Sequence, residues 1–471
     1  MRKINIYRTY ERLLADTLTP VGIYLALRDH FPSSHLLESS DYHSKSDSLS
    51  FICLEAIAGF EATGKDYNYH FPKGNVESKK AQRLDSILPA FQSFINAFTV
   101  EENDLPFDTA GLFGYSSFEA FQYFEDLELR EKSTENKANP DLKYQLFRYV
   151  IVIDHFKNEL YIVKHDTSPL AENDSDIAQL KSLLQVNRSA QFSFKTIGEE
   201  SCTNSPQEFK SMVERGIEHC QRGDVFQVVV SREFNQAFKG DDFNVYRSLR
   251  NVNPSPYLFY FDYGKFKIFG SSPESQLQVR DGRAFIDPIA GTARRTGDAE
   301  EDTLAAEELK ANPKEYSEHI MLVDLARNDL SRNTNNVEVE ECAEIQYFSH
   351  VIHMVSKVSG EVMKDRSGLQ IFADTFPAGT LSGAPKYRAM QIIDEQEKQP
   401  RNFYGGAIGF FGFDGSVNHA IIIRSVLSKN NVLTYQAGAG VVVASQPQGE
   451  LEEVDNKVAA MRRAIVKAEE I

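Results

Sequence analysis

The chain is 471 residues long and carries 51 Lys and Arg against 68 Asp and Glu, a formal net charge of -17. That length can bury a core for two domains or one composite domain, and the acidic balance argues against phosphate-backbone binding, so no nucleic-acid partner is expected. Its cysteines (Cys53, Cys202, Cys220, Cys342) form no CxxC pair, and neither a signal peptide nor a membrane-length apolar run is visible; a zinc site or disulfide framework is not expected, and a reducing cytoplasm is.

In the N-terminal half, residues 20–28 read as a strand or short helix leading into a polar loop, LLESSDYHSKSDS. Residues 49–60 and 109–118 read as strands, and residues 145–154 and 159–164 as a hairpin turning at Lys157 and Asn158. Ile177 to Val186 is amphipathic, and residues 189–206 read as a linker or exposed connection.

Motifs are denser beyond Pro206. A helix over 207–222 is closed by Gly223 and followed by the strand DVFQVVVSREF, where Gln227 is the uncharged polar residue among apolar ones. NPSPYLFYFDYG, FGSSPESQLQV and RAFIDPIAGTARRTG each read as a strand ending in a small-residue turn. Asn312, Pro313 and Glu315 then occupy the N-cap, N1 and N3 positions of a helix over NPKEYSEHIMLVDLARNDL, with Ile320, Met321, Val323 and Leu325 as its apolar surface.

The strand FSHVIHMVSKVSGEV puts Val351, His353 and Val355 on one face, where a lone His is ordinarily structural. PAGTLSGAPKYRAMQIIDE runs from a loop into a helix starting near Pro385. YGGAIGFFGF and SVNHAIIIRSVL read as two strands joined at Asp414 and Gly415 by a type I′ turn. In the next strand, VLTYQAGAGVVVAS, the run Gly438, Ala439, Gly440 leaves room for a ligand to approach the backbone. The last helix carries Leu451, Val454, Val458, Met461 and Ile465 as one apolar stripe.

Glu315 and Glu318 stand at i and i+3 near the start of one helix, and Glu450 and Glu453 do the same in the other. Each pair alone is explained by capping and the helix dipole. If the two helix starts face each other, four carboxylates converge and call for a hard, oxygen-liganded cation such as Mg2+.

SSPESQLQV, PIAGTARR, SEHIMLVDLARND, GTLSGAPK, YGGAIGFF and QAGAGVVVASQPQGELEE, in this order, resemble the chorismate-binding enzymes, most of all the large components of anthranilate synthases. The resemblance is dense over about residues 205–466 and sparse before them, through LLESSDYHSK and GLFGYSSFEAF. It implies an α+β fold, the chorismate-binding α/β sandwich of two large antiparallel sheets facing each other with helices outside. It also implies an N-terminal scaffold and tryptophan-regulatory region at 1–195 and a catalytic domain at 205–466.

The same resemblance implies Mg2+ held by Glu318 and Glu453, with Glu315 and Glu450 nearby. Chorismate would be met by Tyr404, Arg424, Lys457 and the backbone of Gly438, Ala439 and Gly440, with Gly291 and Thr292 close by. Such a set of guanidinium, ammonium, phenol and backbone N–H groups is what a dicarboxylate needs inside an acidic protein. Glu274 would be the general acid for the departing hydroxyl, and His353 and Thr380 would stand beside the substrate, His353 assisting pyruvate elimination.

Relatives that add water carry a lysine base where this chain has Gln227, and aminodeoxychorismate synthases carry a lysine nucleophile where it has Ala290. Both differences point to ammonia as nucleophile and anthranilate as product. Aminodeoxychorismate synthesis and a non-catalytic tryptophan-binding role are the alternatives. A pocket of Glu38, Ser39, Lys45, Asn253, Pro256, Tyr257 and Leu258 is implied for L-tryptophan as feedback inhibitor. No cysteine sits in a glutaminase-like turn, so a separate glutamine amidotransferase subunit is expected to deliver ammonia, in a heterotetramer.

Overall fold

The computed structural model describes residues 3–39, 48–130, 139–169, 175–185, 190–347 and 351–471. Two long strands, Leu49–Thr63 and Leu142–Asp154, pair antiparallel along their lengths and belong to both sheets of the fold. At one end Leu49–Thr63 pairs with His35–Glu38, which continues through Tyr257–Asp262, Lys267–Ser272, Ser425–Lys429 and Val432–Val441 to Gln227–Gly240. At the other end Leu142–Asp154 pairs with Gly111–Ser116, which continues through Ala407–Gly412, Val417–Ile421, Ser275–Arg280 and Arg283–Ile286 to Val351–Val362. These pairings are all antiparallel, and one apolar core takes Phe269 and Tyr435 from the first sheet and Leu277 and Phe411 from the second.

Two of the crossings between the sheets in the second half are made within two or three residues. Lys267–Ser272 lies in one sheet and Ser275–Arg280 in the other, with Pro273 and Glu274 between them. Val417–Ile421 and Ser425–Lys429 are likewise split at Ile422 to Arg424. The segments FGSSPESQLQV and SVNHAIIIRSVL, each read as one strand, are therefore two. Pro273 is a local break signal at the first crossing, whereas the second falls in the continuous apolar run Ala420 to Ile423, where no residue marks it.

Other local signals hold. Residues 20–28 are a helix, Pro20–Leu27, capped by the Thr19 hydroxyl. Ser205 and Glu208 form a reciprocal capping box on Pro206–Gln221, and Gly223 takes φ 78° behind it. Asn312 caps Pro313–Ser331 by accepting from the N–H groups of Lys314 and Glu315. That helix buries His319, Leu322, Val323, Ala326 and Leu330, while Ile320, Met321 and Leu325 are only half-buried. Of the expected apolar surface Val323 is buried and Leu325 packs against Gly379, and the buried face also carries a polar contact: the Ser356 hydroxyl lies 2.6 Å from His319 Nε2 and accepts from Ala343 N–H at 2.8 Å.

Two further readings are corrected, and one helix is new. The supposed linker contains a strand, Phe194–Cys202, paired with Gln227–Gly240; its polar side chains face solvent on a sheet edge. A helix, Ala299–Ala311, precedes the Asn312 cap. At Asp414 and Gly415 only Gly415 has positive φ, 94°, so the turn is not type I′; the Asp414 carboxylate instead accepts from the N–H of Ser416 at 2.9 Å.

Candidate active site

The first crossing places Glu274 in the interior, 8 % exposed. Burial raises its carboxyl to about 7, against the opposing pull of a Thr380 hydrogen bond, Arg424 and Lys457. Thr380 Oγ1 donates to Glu274 Oε1 at 2.9 Å. The second crossing places Arg424 at φ 49°, a left-handed conformation uncommon outside glycine and a recurrent feature of functional sites. Burial lowers the Arg424 pKa, and Glu274 raises it. The crossings are stitched together, Ile421 N–H donating to Glu274 O at 3.0 Å and Ser271 N–H to Arg424 O at 3.2 Å.

His353 is buried beside Arg424, and burial lowers its pKa to about 4, so the imidazole is neutral at pH 7. Its Nδ1 lies 3.0 Å from Gly291 O and 3.1 Å from Thr292 Oγ1. A carbonyl only accepts, so Nδ1 carries the proton and Nε2 the lone pair. Gly291 has φ 75°, and a methyl group there would stand 3.3 Å from Glu315 Oε2.

The Gly438 to Gly440 backbone lies opposite Gln227–Gly240. A Cβ on Gly438 would fall 2.8 Å from Tyr404 Oη and from Val230 O, and one on Gly440 would fall 2.2 Å from Gln227 Nε2. The missing side chains thus make room for Tyr404 and Gln227. Lys457 Nζ donates to Gly438 O at 2.9 Å and pairs with Glu453 Oε1 at 2.7 Å.

The starts of Pro313–Ser331 and Pro447–Lys467 do face each other. Burial raises the Glu318 pKa, and Glu315, Glu450 and Glu453 all raise it further, with Lys314 opposing them. Glu450 is buried, and burial raises its pKa too. Four mutually repelling carboxylates with oxygen donors suit a hard divalent cation in chemistry. Among the described residues, however, no three acidic, His or Cys side chains are drawn together around one point, and Lys457 and Lys314 lie on Glu453 and Glu318.

The residues expected around tryptophan gather elsewhere, at the pairing of His35–Glu38 with Tyr257–Asp262, where Glu38 is opposite Leu258. Glu38 is buried and accepts from Tyr246 Oη at 2.5 Å and Arg250 Nε at 3.1 Å. Asn253 Nδ2 donates to Ser255 Oγ at 3.4 Å, and Tyr257 Oη accepts from Gln278 Nε2 at 2.7 Å. Ser39 and Pro256 are half-buried beside them, and Lys45 lies outside the described residues.

Residues 49–463 match the family model described as chorismate binding enzyme. The chain belongs to the chorismate-binding enzyme family. It is 36 % identical to anthranilate synthase component 1 of Aquifex aeolicus, covering 99 % of this chain and 96 % of that protein. It is 37 % identical to the protein of the same name from Geobacillus stearothermophilus, covering 100 % and 95 %. The crystal structure of anthranilate synthase component I from Streptococcus pneumoniae superposes with a TM-score of 0.76 at 28 % identity, over 96 % of this chain and 99 % of that one. The menaquinone-specific isochorismate synthase MenF of Escherichia coli, at 18 % identity, shares the fold with a TM-score of 0.73 over 98 % and 95 %.

Two ion pairs behind this family site were not singled out in the sequence. Lys386 Nζ, in GAPK, reaches Asp329 Oδ2 at 2.9 Å and Thr375 O at 2.8 Å. Arg401 and Glu397 form the second. The lysine stood inside a recognised motif; the arginine was legible only as a charge ahead of YGGAIGFF.

Proposed function

We propose that the chain is the chorismate-aminating component of an anthranilate synthase. Ammonia adds to the ring carbon beside the ring carboxylate, the remote hydroxyl leaves as water, and elimination of pyruvate leaves anthranilate. The observation that carries this reading is Glu274, a buried carboxyl that holds its proton near neutral pH while facing the Arg424 guanidinium. A dianionic substrate bound at Arg424 raises that carboxyl further, keeping the proton in place for the departing hydroxyl.

Arg424, Lys457, Tyr404 and the Gly438 to Gly440 backbone hold the substrate carboxylates. His353, neutral with its lone pair on Nε2, is placed to take a proton during pyruvate elimination. Gln227 cannot serve as a base toward water, and Ala290 offers no amine. Glu318 and Glu453, with Glu315 and Glu450 nearby, would hold Mg2+, whose Lewis acidity polarises the substrate near its ring carboxylate. Binding there requires the Lys457 and Lys314 ammonium groups to give way. The absence of a glutaminase motif supports ammonia delivery by a separate glutamine amidotransferase, and the pairing that brings Glu38 opposite Leu258 supports feedback inhibition by L-tryptophan.

The test is fluorescence of the chain with chorismate, Mg2+ and an ammonium salt at alkaline pH. The chain has no Trp, so the background is low. Anthranilate emission that disappears in Glu274→Gln and Glu318→Ala supports the reading. Consumption of chorismate without anthranilate, or no consumption, refutes it.

A further inference from the structure

Arg401 and Glu397 are almost fully buried, with side chains 1 % and 6 % exposed, and touch neither the carboxylate cluster nor Glu274 in any hydrogen bond. Glu397 Oε1 accepts from both Ser231 N–H and Ser231 Oγ at 2.9 Å. Arg401 holds Glu397 with Nε and Nη2, at 2.8 and 2.6 Å. Its remaining donors reach two carbonyls, Nη1 to Leu381 O at 2.7 Å and Nη2 to Val229 O at 2.7 Å. The guanidinium lies over two rings, 4.5 Å from the Phe118 centroid and 5.6 Å from that of Tyr404. Glu119 completes the arrangement by accepting from the Arg401 backbone N–H at 2.8 Å.

Each element gripped by the pair carries a group of the site. Leu381 follows Thr380, which donates to Glu274. Val229 and Ser231 lie on the strand that bears Gln227 and backs Gly438 and Gly440. Tyr404 stands against Gly438. A planar, bidentate guanidinium fixes direction as well as distance, which a lysine or an apolar side chain does not.

We propose that Arg401 and Glu397 form a positioning clamp that sets Thr380 and Tyr404 against Glu274 and the Gly438 to Gly440 backbone, and so governs turnover without touching substrate. The assay of this role rests on the proposed amination of chorismate. A buried pair replaced on both sides by apolar residues of similar volume generally folds, whereas removal of one partner strands a charge. The primary variant is therefore the double substitution Glu397→Leu, Arg401→Met. Arg401→Lys is the second; it keeps the charge but cannot span Glu397, Leu381 O and Val229 O together.

In variants that melt cooperatively, the clamp predicts a fall in kcat of at least about tenfold with KM for chorismate changed less than about threefold, the signature of lost alignment rather than lost binding. It also predicts that the alkaline limb of the rate profile, taken at fixed free ammonia, moves down by about one pH unit as water reaches Glu274. Wild-type kcat, KM and pH profile in either folded variant overturn the proposal. If the unaltered chain makes no anthranilate, the functional reading fails, and a crystal structure of Arg401→Lys decides the clamp. Loss of the Thr380–Glu274 contact then supports it, and retention at 2.9 Å overturns it.

Discussion

Glu274 and Arg424 occupy two tight breaks at which the chain passes from one sheet to the other, and each senses the other's charge. A crossing interrupts pairing and turns side chains toward the space between sheets. Here that space receives a protonatable carboxyl and a buried guanidinium.

The first prediction concerns the Glu274 proton. Burial raises its pKa from 4.5 to about 7, so the folded state favours the protonated form. Its stabilising contribution is full below pH 4.5 and is lost as pH rises to about 7, a change of roughly 3 kcal/mol. Glu274→Gln therefore gains stability relative to wild type between pH 4.5 and 8 by that order, while losing turnover. Urea unfolding of both proteins across this range measures it; parallel curves would show that Glu274 is not protonated near neutrality.

The second prediction separates two glycines. A Cβ at Gly438 meets the Val230 carbonyl, which cannot move alone, so Gly438→Ala should cost about 1–3 kcal/mol of stability and most of the activity. At Gly440 the obstacle is the end of Gln227, a flexible side chain. Gly440→Ala should fold normally yet displace Gln227, and Gln227→Ala beside it should relieve the crowding. Thermal melts of the three variants test this order, and equal losses for both glycines would contradict it.

The third prediction addresses the carboxylate cluster. Repulsion from Glu315, Glu450 and Glu453 burdens Glu318 in the metal-free protein. Glu318→Gln should raise the metal-free Tm by a few degrees and abolish any rise on adding Mg2+, since a cation bound only to the folded state stabilises it by mass action. Calorimetric scans with EDTA and with millimolar Mg2+ read both effects. An equal response of wild type and variant to Mg2+ places the metal elsewhere.

The fourth uses the absence of tryptophan from the chain. Added L-tryptophan is then the indole fluorophore in the sample, and its emission should shift on binding beside the buried Glu38. Glu38→Gln should weaken binding at least about tenfold, the scale of one charge-assisted contact. Inhibition of turnover should fall in parallel; unchanged binding in the variant would remove Glu38 from the pocket.

By itself the sequence determined what neighbours along the chain decide. Asn312 with Pro313, Ser205 with Glu208, and the C-terminal stripe from Leu451 to Ile465 specify their helices through capping and periodicity. The ordered motifs likewise named the family. What only the tertiary structure decided depends on partners far apart in sequence. Pro273 hints at the first break, but the break at Ile422 to Arg424 lies in a continuous apolar run and is set by which strands pair. The facing of Glu318 and Glu453, the register of Glu38 against Leu258, and the grip of Arg401 on Val229 and Leu381 exist because burial closes two sheets on one core. A buried charge has a meaning only through the groups that surround it, and a sequence does not say which those are.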